Sequence, residues 1–193
     1  INFKSIAVLF LSSHTKKILT LFAIAFGFVR TEVNAQICST LGQTASTAFR
    51  VCGTGKFFQG NVPSCVNSGI FVPGCSGSAC SYEDLNPFWY RFTCFTSGSL
   101  SFIIDPISSS DDYDWQIFDI TGRNPNEVYT NNRASMVVAA NWSARDGQTG
   151  TRNGERALIE CCTIGLSNPP NFSRMPNIFA GRTYLLMVSN FSS

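Results

Sequence analysis

Three aspartates that are close in the sequence form the clearest candidate for a chemical site. Asp111, Asp112 and Asp114 stand before and at the start of a run of alternating apolar residues. If the strand has begun by Asp112, then Asp112 and Asp114 share one face and Asp111 lies in the turn before it. Carboxylates at this spacing suit Ca²⁺, which takes about six to eight oxygen ligands, and Asp105 and Asp119 could add to the cluster. We therefore expect a possible structural calcium site, against the alternative of a solvated aspartate-rich turn.

Four aromatic residues are the second candidate site. Trp89, Tyr113, Trp115 and Trp142 could form a flat platform that stacks on sugar rings. The alternative is that these large side chains fill the interior of a β structure, where each buries about 150–250 Å². The strand pattern favours the interior, and the ligand platform stays open as the second interpretation.

Groups for enzymatic catalysis are scarce in this sequence. The one histidine, His14, falls in a segment that we expect to be removed on export, so Ser-His-Asp and Cys-His mechanisms are excluded from the rest. Lys56 is then the one lysine available to a Ser-Lys dyad, and Gly53 and Gly55 lack the third glycine of a nucleotide-binding loop. A pair of glycosidase carboxylates could be drawn from any eleven acids, so that pattern is not informative. We predict a protein that is not an enzyme, with no cofactor other than the calcium.

The first 35 residues have the pattern of a secretory signal peptide. Three lysines precede an apolar run at 18–29, and Val33-Asn34-Ala35 ends in the small residue that a signal peptidase requires. A helix of twelve residues rises about 18 Å, which is shorter than the roughly 30 Å hydrocarbon core of a membrane. We expect cleavage before Gln36 and a secreted or outer-cell-surface protein without a membrane span. An uncleaved anchor and a lipoprotein attached through Cys38 are the alternatives.

Removal of residues 1–35 changes the charge balance of the chain. Four of the 14 Lys and Arg residues and one of the 12 acidic residues lie in that segment, so the remainder is near −1. No basic patch remains that would favour nucleic acid as a partner.

All eight cysteines follow the signal segment, which indicates disulfides formed in an oxidising compartment. Zinc is the alternative, but the spacing contains no paired C-x₂-C motif and no histidine remains. Bridging the two adjacent cysteines to each other would strain the peptide between them, so we expect each to have a separate partner. The pairing is otherwise open. The cysteines are Cys38, Cys52, Cys65, Cys75, Cys80, Cys94, Cys161 and Cys162.

Two regions of different composition and pattern follow the signal segment. Residues 36–87 are rich in Gly, Ser, Pro and Cys and need covalent cross-links to stay ordered against the rest, with short β runs at 48–52 and 70–72. From residue 88 apolar residues alternate. This alternation predicts a hairpin of 88–95 with 100–104 and later strands. The later strands are 113–117, 136–139 and 184–188.

The pattern as a whole predicts an all-β fold, an antiparallel β-sandwich of jelly-roll order over residues 88–193. Asn124 and Pro125 suit the start of a helical turn at 124–129. Residues 141–160 and 165–181 are expected to be loops, and the strand near residue 193 suggests that the sandwich is truncated there.

Several of these segments resemble a module of large secreted proteins of Bacteroidota. The resemblance spans 86–190 and rests on NPFWYRFTC at 86–94, SGSL at 97–100, DDYDWQIFDITGRNP at 111–125, NWS at 141–143, MPN at 175–177 and AGRTYLLMVS at 180–189. The chain is also similar, more loosely, to the pre-peptidase C-terminal β-sandwich. The Ser-Gly-Tyr strand that follows in the first family is absent from this sequence.

The resemblance implies an extracellular, adhesin-like surface protein connected with gliding motility and type IX secretion. Its partners would be other domains of the same chain and a surface polysaccharide or protein, for attachment or structural spacing. Two alternatives are a carbohydrate-binding module of an exported hydrolase and an accessory domain of a secreted protease.

Overall fold

The computed structural model describes residues 38–53, 55–61, 64–75, 80–130, 134–162 and 169–192. The signal peptide expected at 1–35 lies outside these residues. No helix within the described residues is long and apolar enough to cross a membrane.

The all-β prediction is confirmed, because the regular structure in the described residues consists of short strands and three 3₁₀ turns. The turns are Ala45–Thr47, Pro125–Tyr129 and Ala134–Met136. The strands are β1 (Phe49–Arg50), β2 (Val66–Gly69), β3 (Glu83–Leu85), β4 (Phe88–Thr93), β5 (Gly98–Ser99), β6 (Ile103–Ile104), β7 (Tyr113–Asp119), β8 (Val137–Asn141), β9 (Thr149–Arg152), β10 (Ile159–Glu160), β11 (Phe172–Arg174), β12 (Asn177–Ile178) and β13 (Thr183–Asn190).

Six strands form the main sheet, in the order β1-β4-β13-β7-β8-β10. The four longer strands of this sheet pair antiparallel. The last strand of the chain, β13, therefore lies between β4 and β7 and bonds to both along most of its length. Its run Tyr-Leu-Leu-Met-Val is almost wholly buried, as expected of a central strand covered on both faces.

The edges of the main sheet depart from the antiparallel expectation. β1 pairs parallel with β4, and β10 pairs parallel with β8. Each of these edge strands is two residues long, so few ladder hydrogen bonds set its direction. A second, small sheet has the order β11-β9-β6 and also contains one parallel pair, β11 with β9.

Both faces of the main sheet are buried, and the alternation of β7 shows how. Trp115 and Ile117 point into the sandwich core, which also contains Leu100, Phe102 and Ile104 from the chain around β6. Phe118 points to the opposite side, into the cover core. The cover core lies between the main sheet and the cysteine-rich segment, and its residues are Ala45, Ile70, Val72, Trp89, Phe118, Ile120, Val128, Met136, Ala140, Trp142, Leu185 and Met187.

The predicted hairpin of 88–95 with 100–104 is wrong. β4 pairs with β1 and β13, whereas β5 pairs with β12 and β6 pairs with β9. The chain crosses from the main sheet to the opposite layer after Thr93, and its apolar residues then face the sandwich core from the other side. The alternating pattern indicates which residues of β4 are buried, but it does not specify which strand pairs with β4.

The two expected loops contain strands, and one expected β run does not. Residues 141–160 include β9 and β10, and residues 165–181 include β11 and β12. Ile70 and Val72 are buried, but residues 70–72 do not form a strand; the strand in this region is β2. By contrast, Pro125–Tyr129 forms the helical turn that was predicted, and the Asn124 side chain caps it.

Six of the eight cysteines form three disulfides, Cys38–Cys65, Cys75–Cys161 and Cys80–Cys162. The adjacent Cys161 and Cys162 therefore have separate partners, as predicted. Cys52 and Cys94 are free thiols in this structure, so cross-linking of these two cysteines stays a prediction. Cys94 lies in the sandwich core, whereas Cys52 is exposed.

A glycine in the small sheet permits its tight pairing with β6. Gly150 has φ +139°, and a Cβ atom there would lie 2.3 Å from the carbonyl oxygen of Phe102. Gly154 also has a positive φ, +89°, but a Cβ atom there meets nothing within 4 Å.

We expect Gly154→Ala to lower the free energy of unfolding by about 1 kcal/mol, the cost of the backbone conformation alone. Gly150→Ala should lower it by roughly 2 kcal/mol more, because the new methyl group meets fixed backbone atoms. Urea denaturation of both variants measures the difference. Equal losses would show that the close contact with Phe102 does not constrain the fold.

Candidate functional site

The acidic residues before β7 lie where the end of the described chain returns to the main sheet. The backbone N–H of Phe191 donates to the carbonyl of Asp112 over 3.0 Å, and the backbone N–H of Asp112 donates to the Ser192 hydroxyl. Asp111 lies in the preceding turn, where its carbonyl accepts from the backbone N–H of Gly147. Strand alternation then directs Asp114 to the same side of the sheet as Gln116 and Phe118.

Two carboxylate oxygens at this site are buried without a hydrogen-bond partner. They are the Oδ1 atoms of Asp112 and Asp114, and the Asp114 side chain is 6% exposed. Asp84 provides the contrast: it is fully buried, and its two oxygens accept from the Ser68 N–H and the Tyr129 hydroxyl. A buried polar atom without a partner costs about 1–3 kcal/mol, and more when it is charged. Asp112 and Asp114 are therefore unlike an ordinary structural carboxylate.

Folding disfavours the negatively charged forms of the Asp112 and Asp114 carboxyl groups. Burial, and then the charge of Asp112, raise the pKa of Asp114 well above its usual range. Burial, and then the charge of Asp146, raise the pKa of Asp112 to about 6. The salt bridges of the described residues join Arg123 to Glu127 and Arg182 to Asp119, and neither involves this pair.

The predicted ligand set for calcium is only partly assembled. Among the described residues, no group of three or more His, Cys, Asp or Glu side chains is placed to hold a metal ion. Asp111, Asp112 and Asp114 do not form such a group in the described residues, so calcium binding by these three residues stays a prediction. Two further candidates are engaged elsewhere: Asp105 accepts from the Gln148 amide, and Asp119 accepts from Thr121 and Arg182.

Asp146 is the acidic residue that sequence reasoning missed. It acts electrostatically on Asp112, although 34 positions separate them in the chain. The Asn171 amide donates to the backbone carbonyl of Asp146, and the Asn171 Oδ1 atom is itself buried without a partner. Only the turn signal Asp146-Gly147 could have drawn attention to this loop, because nothing in the sequence indicates which strand end it meets.

The tryptophans are core residues, so the predicted ligand platform of Trp89, Trp115 and Trp142 is wrong. Trp89 and Trp115 are 0% exposed and Trp142 is 1% exposed. The indole N–H of Trp115 donates to the Thr149 hydroxyl, and that of Trp142 donates to the Gln116 side chain. A ring enclosed in this way cannot stack on a ligand.

Phenylalanines form the exposed aromatic surface instead. Phe57 and Phe58 are 62% and 81% exposed, and Phe57 packs against Tyr90 with ring centroids 5.0 Å apart. Phe49, in the edge strand β1, is 45% exposed and packs near Phe88 at 6.2 Å. No periodic pattern predicts this surface, because residues 55–61 lie in a Gly- and Pro-rich stretch without regular strands.

No protein-family model, curated protein or solved structure matches this chain at a significant level.

The raised pKa values predict how stability depends on pH when no metal ion is present. The folded protein keeps protons on Asp112 and Asp114 that the unfolded chain releases above about pH 4. The unfavourable contribution of Asp112 is therefore full above its folded pKa, about 6, that of Asp114 is full only above its own raised pKa, and both fall as the pH drops toward 4.

We expect Asp114→Asn, measured in chelator, to be more stable than the wild type by about 1–2 kcal/mol at pH 7.5, with a smaller advantage at pH 4. Thermal melts at the two pH values measure this change, with Asp111→Asn as the matched control. A gain for Asp114→Asn that is the same at both pH values would show that Asp114 carries no buried charge.

Proposed function

We propose that this chain is a non-catalytic extracellular module of a larger, adhesin-like cell-surface protein, serving attachment or structural spacing. The observation that carries the proposal is the pair of disulfides from Cys75 and Cys80 to the adjacent Cys161 and Cys162. These residues directly follow the edge strand β10. Three disulfides in one chain indicate an oxidising, extracellular environment.

The two disulfides fasten a cysteine-rich segment that packs only in part against the main sheet. Ile70 and Val72 contribute to the cover core, but the segment from 55 to 61 has only exposed residues in its described part. The bonds close spans of 86 and 82 positions. Closing a long loop removes conformational entropy from the unfolded chain, which stabilises the fold by about 2–4 kcal/mol. A module that meets proteases or mechanical load outside the cell benefits from this arrangement.

The buried polar side chains of this structure hold its elements together, which supports a non-catalytic function. Gln116 donates to the Phe71 carbonyl and accepts from Trp142. Asn141 donates to the carbonyl of Pro170 and to the Ser173 hydroxyl. These polar side chains are buried and hold one element to another, as expected of a scaffold.

Replacement of the module in the native host tests this function. We expect deletion of residues 38–192 from the full-length protein to reduce attachment of intact cells to a surface several-fold, while protease shaving still detects the remainder outside the cell. Insertion of an unrelated β-sandwich in its place distinguishes the two functions, because it restores a spacer but not an attachment site. Unchanged attachment after deletion, or hydrolysis of a polysaccharide or protein by the purified module, would contradict the proposal.

We also propose that the carboxylates of Asp112 and Asp114 bind a structural calcium ion. The specific observation is that both Oδ1 atoms are buried without a partner and that Asp146 adds a third negative charge nearby. A divalent cation offsets this charge, and backbone carbonyls and water can complete its oxygen ligands. The ion would hold the start of β7 beside the strand end at Phe191, whose N–H already bonds to Asp112.

We expect 10 mM CaCl₂ at pH 7.5 to raise the free energy of unfolding by about 1–3 kcal/mol, given the dissociation constants of about 0.1–1 mM that are typical of extracellular calcium modules. The gain should vanish in Asp114→Asn and remain in Asp111→Asn. Isothermal calorimetry with CaCl₂ and with MgCl₂ measures binding directly. If calcium neither binds nor stabilises the wild type, then protonation alone removes the buried charge of Asp112 and Asp114, and the calcium proposal fails.

A further inference from the structure

Two thiols remain after the three disulfides have formed, and they lie at neighbouring places in the fold. Cys52 follows β1 by two residues, and Cys94 follows β4 by one. β1 and β4 are parallel neighbours in the main sheet, with Arg50 opposite Arg91. The register continues past the strand, because the Val51 N–H donates to the Arg91 carbonyl over 2.9 Å.

This register places the two cysteines within reach of each other. If it continues by two residues, Cys52 stands opposite Thr93 and diagonal to Cys94. Adjacent strands lie about 4.8 Å apart and each residue advances about 3.3 Å, which puts the two Cα atoms roughly 6 Å apart. A disulfide requires a Cα separation of about 4.4–6.8 Å. Alternation directs the two side chains to opposite faces of the sheet, which accounts for their being free thiols in this structure.

The segment around Cys52 can turn toward Cys94, whereas Cys94 is fixed. The backbone of Cys94 bonds to Arg182 and Gly181 at 2.9 and 2.8 Å, and its thiol donates to the Thr96 carbonyl. Cys52 is exposed and makes no hydrogen bond with the described residues. Gly53, with φ +83°, has open space on the side where a Cβ atom would lie, with nothing within 4 Å. The disulfide requires a backbone rotation at Cys52 and Gly53 that brings the two sulfur atoms to one side of the sheet.

The opposite edge of the main sheet also has cysteines directly after a short parallel strand, and there they form disulfides. There the two-residue parallel strand β10 is followed at once by Cys161 and Cys162, and both are bonded to the cysteine-rich segment. At the β1 edge, the parallel strand is likewise two residues long and is followed by Cys52. An edge strand of this length makes few hydrogen bonds, so a covalent bond is an effective way to hold it.

We infer that Cys52 and Cys94 form a fourth disulfide when the protein is oxidised, which fixes the edge strand β1 and the exposed residues 55–61 to β4. In this step the two thiols lose two protons and two electrons, and an Sγ–Sγ bond forms. The electrons reduce a disulfide oxidant, such as oxidised glutathione, to two thiols. The bond would close a loop of about 40 residues, long enough to stabilise the fold substantially.

Peptide mapping of the unreduced protein tests the pairing directly. Trypsin cleaves after Arg50, Lys56, Arg91 and Arg123, so residues 51–56 contain Cys52 alone and residues 92–123 contain Cys94 alone. After refolding in oxidised and reduced glutathione, we expect the mass of these two peptides joined, and loss of that mass on reduction. Alkylation of the denatured, unreduced protein should find no free thiol.

Single variants distinguish a Cys52–Cys94 disulfide from a Cys52 that stays free or that joins two molecules. We expect Cys52→Ser and Cys94→Ser to lower the melting temperature by about 5–10 °C under oxidising conditions, and to differ much less from the double variant Cys52→Ser/Cys94→Ser, which keeps the other three disulfides. Cys94→Ser leaves a thiol that is alkylated in the native protein, whereas Cys52→Ser leaves one that reacts only after unfolding. Two free thiols in the oxidised wild type, or a dimer joined through Cys52, would overturn the inference.

Discussion

The main constraint on this fold is that its central sheet is buried on both faces while only part of the chain can form a packed layer. β13 lies between β4 and β7, and its side chains alternate between the sandwich core and the cover core. The small sheet covers one face with regular strands. The other face must be covered by a segment rich in Gly, Pro and Cys, which contributes few large apolar side chains.

The disulfides follow from this constraint. A cover layer that buries little apolar surface gains little free energy from packing, because the gain is roughly proportional to the area removed from water. Cross-links lower the entropy of the unfolded chain instead, and they do so most for long spans. The bonds from Cys75 and Cys80 span more than 80 positions and end at adjacent residues. They fasten the thin layer at the sheet edge where it would otherwise separate first.

The same thin layer explains why polar groups lie under it. Asp114 and Gln116 both point from β7 toward the cover side, where the layer supplies backbone carbonyls such as that of Phe71 beside the apolar Ile70 and Val72. Gln116 has partners in Phe71 and Trp142. Asp114 has none for its Oδ1 atom, so its charge requires a proton or a cation. The candidate site is thus a consequence of how the sheet is covered, and it lies where that cover meets the end of β13.

Much of the architecture could be predicted from local pattern, and the remainder depends on contacts between distant parts of the chain. Alternation identified β4, β7 and β13, and Asn124 with Pro125 identified a capped helical turn, because these signals act within a few residues. The hairpin prediction failed because alternation does not specify a partner strand. β9 to β12 were missed because each has only two to four residues. Asp146 was missed because its approach to Asp112 depends on the path of a loop.

Cysteines follow both edge strands of the main sheet, and these edges are also where the sheet could pair with another molecule. An open edge exposes unpaired N–H and C=O groups that can recruit a strand from another chain. Here both edges are closed by short parallel strands, which leave little length for such pairing. The β10 edge is held by two disulfides, and the β1 edge carries Phe49 next to the loop with Phe57 and Phe58. Because this loop packs on the sheet mainly through Phe57 and Tyr90, its position depends on how firmly β1 is held. A covalent bond at Cys52 would fix the exposed Phe57 and Phe58 relative to the main sheet.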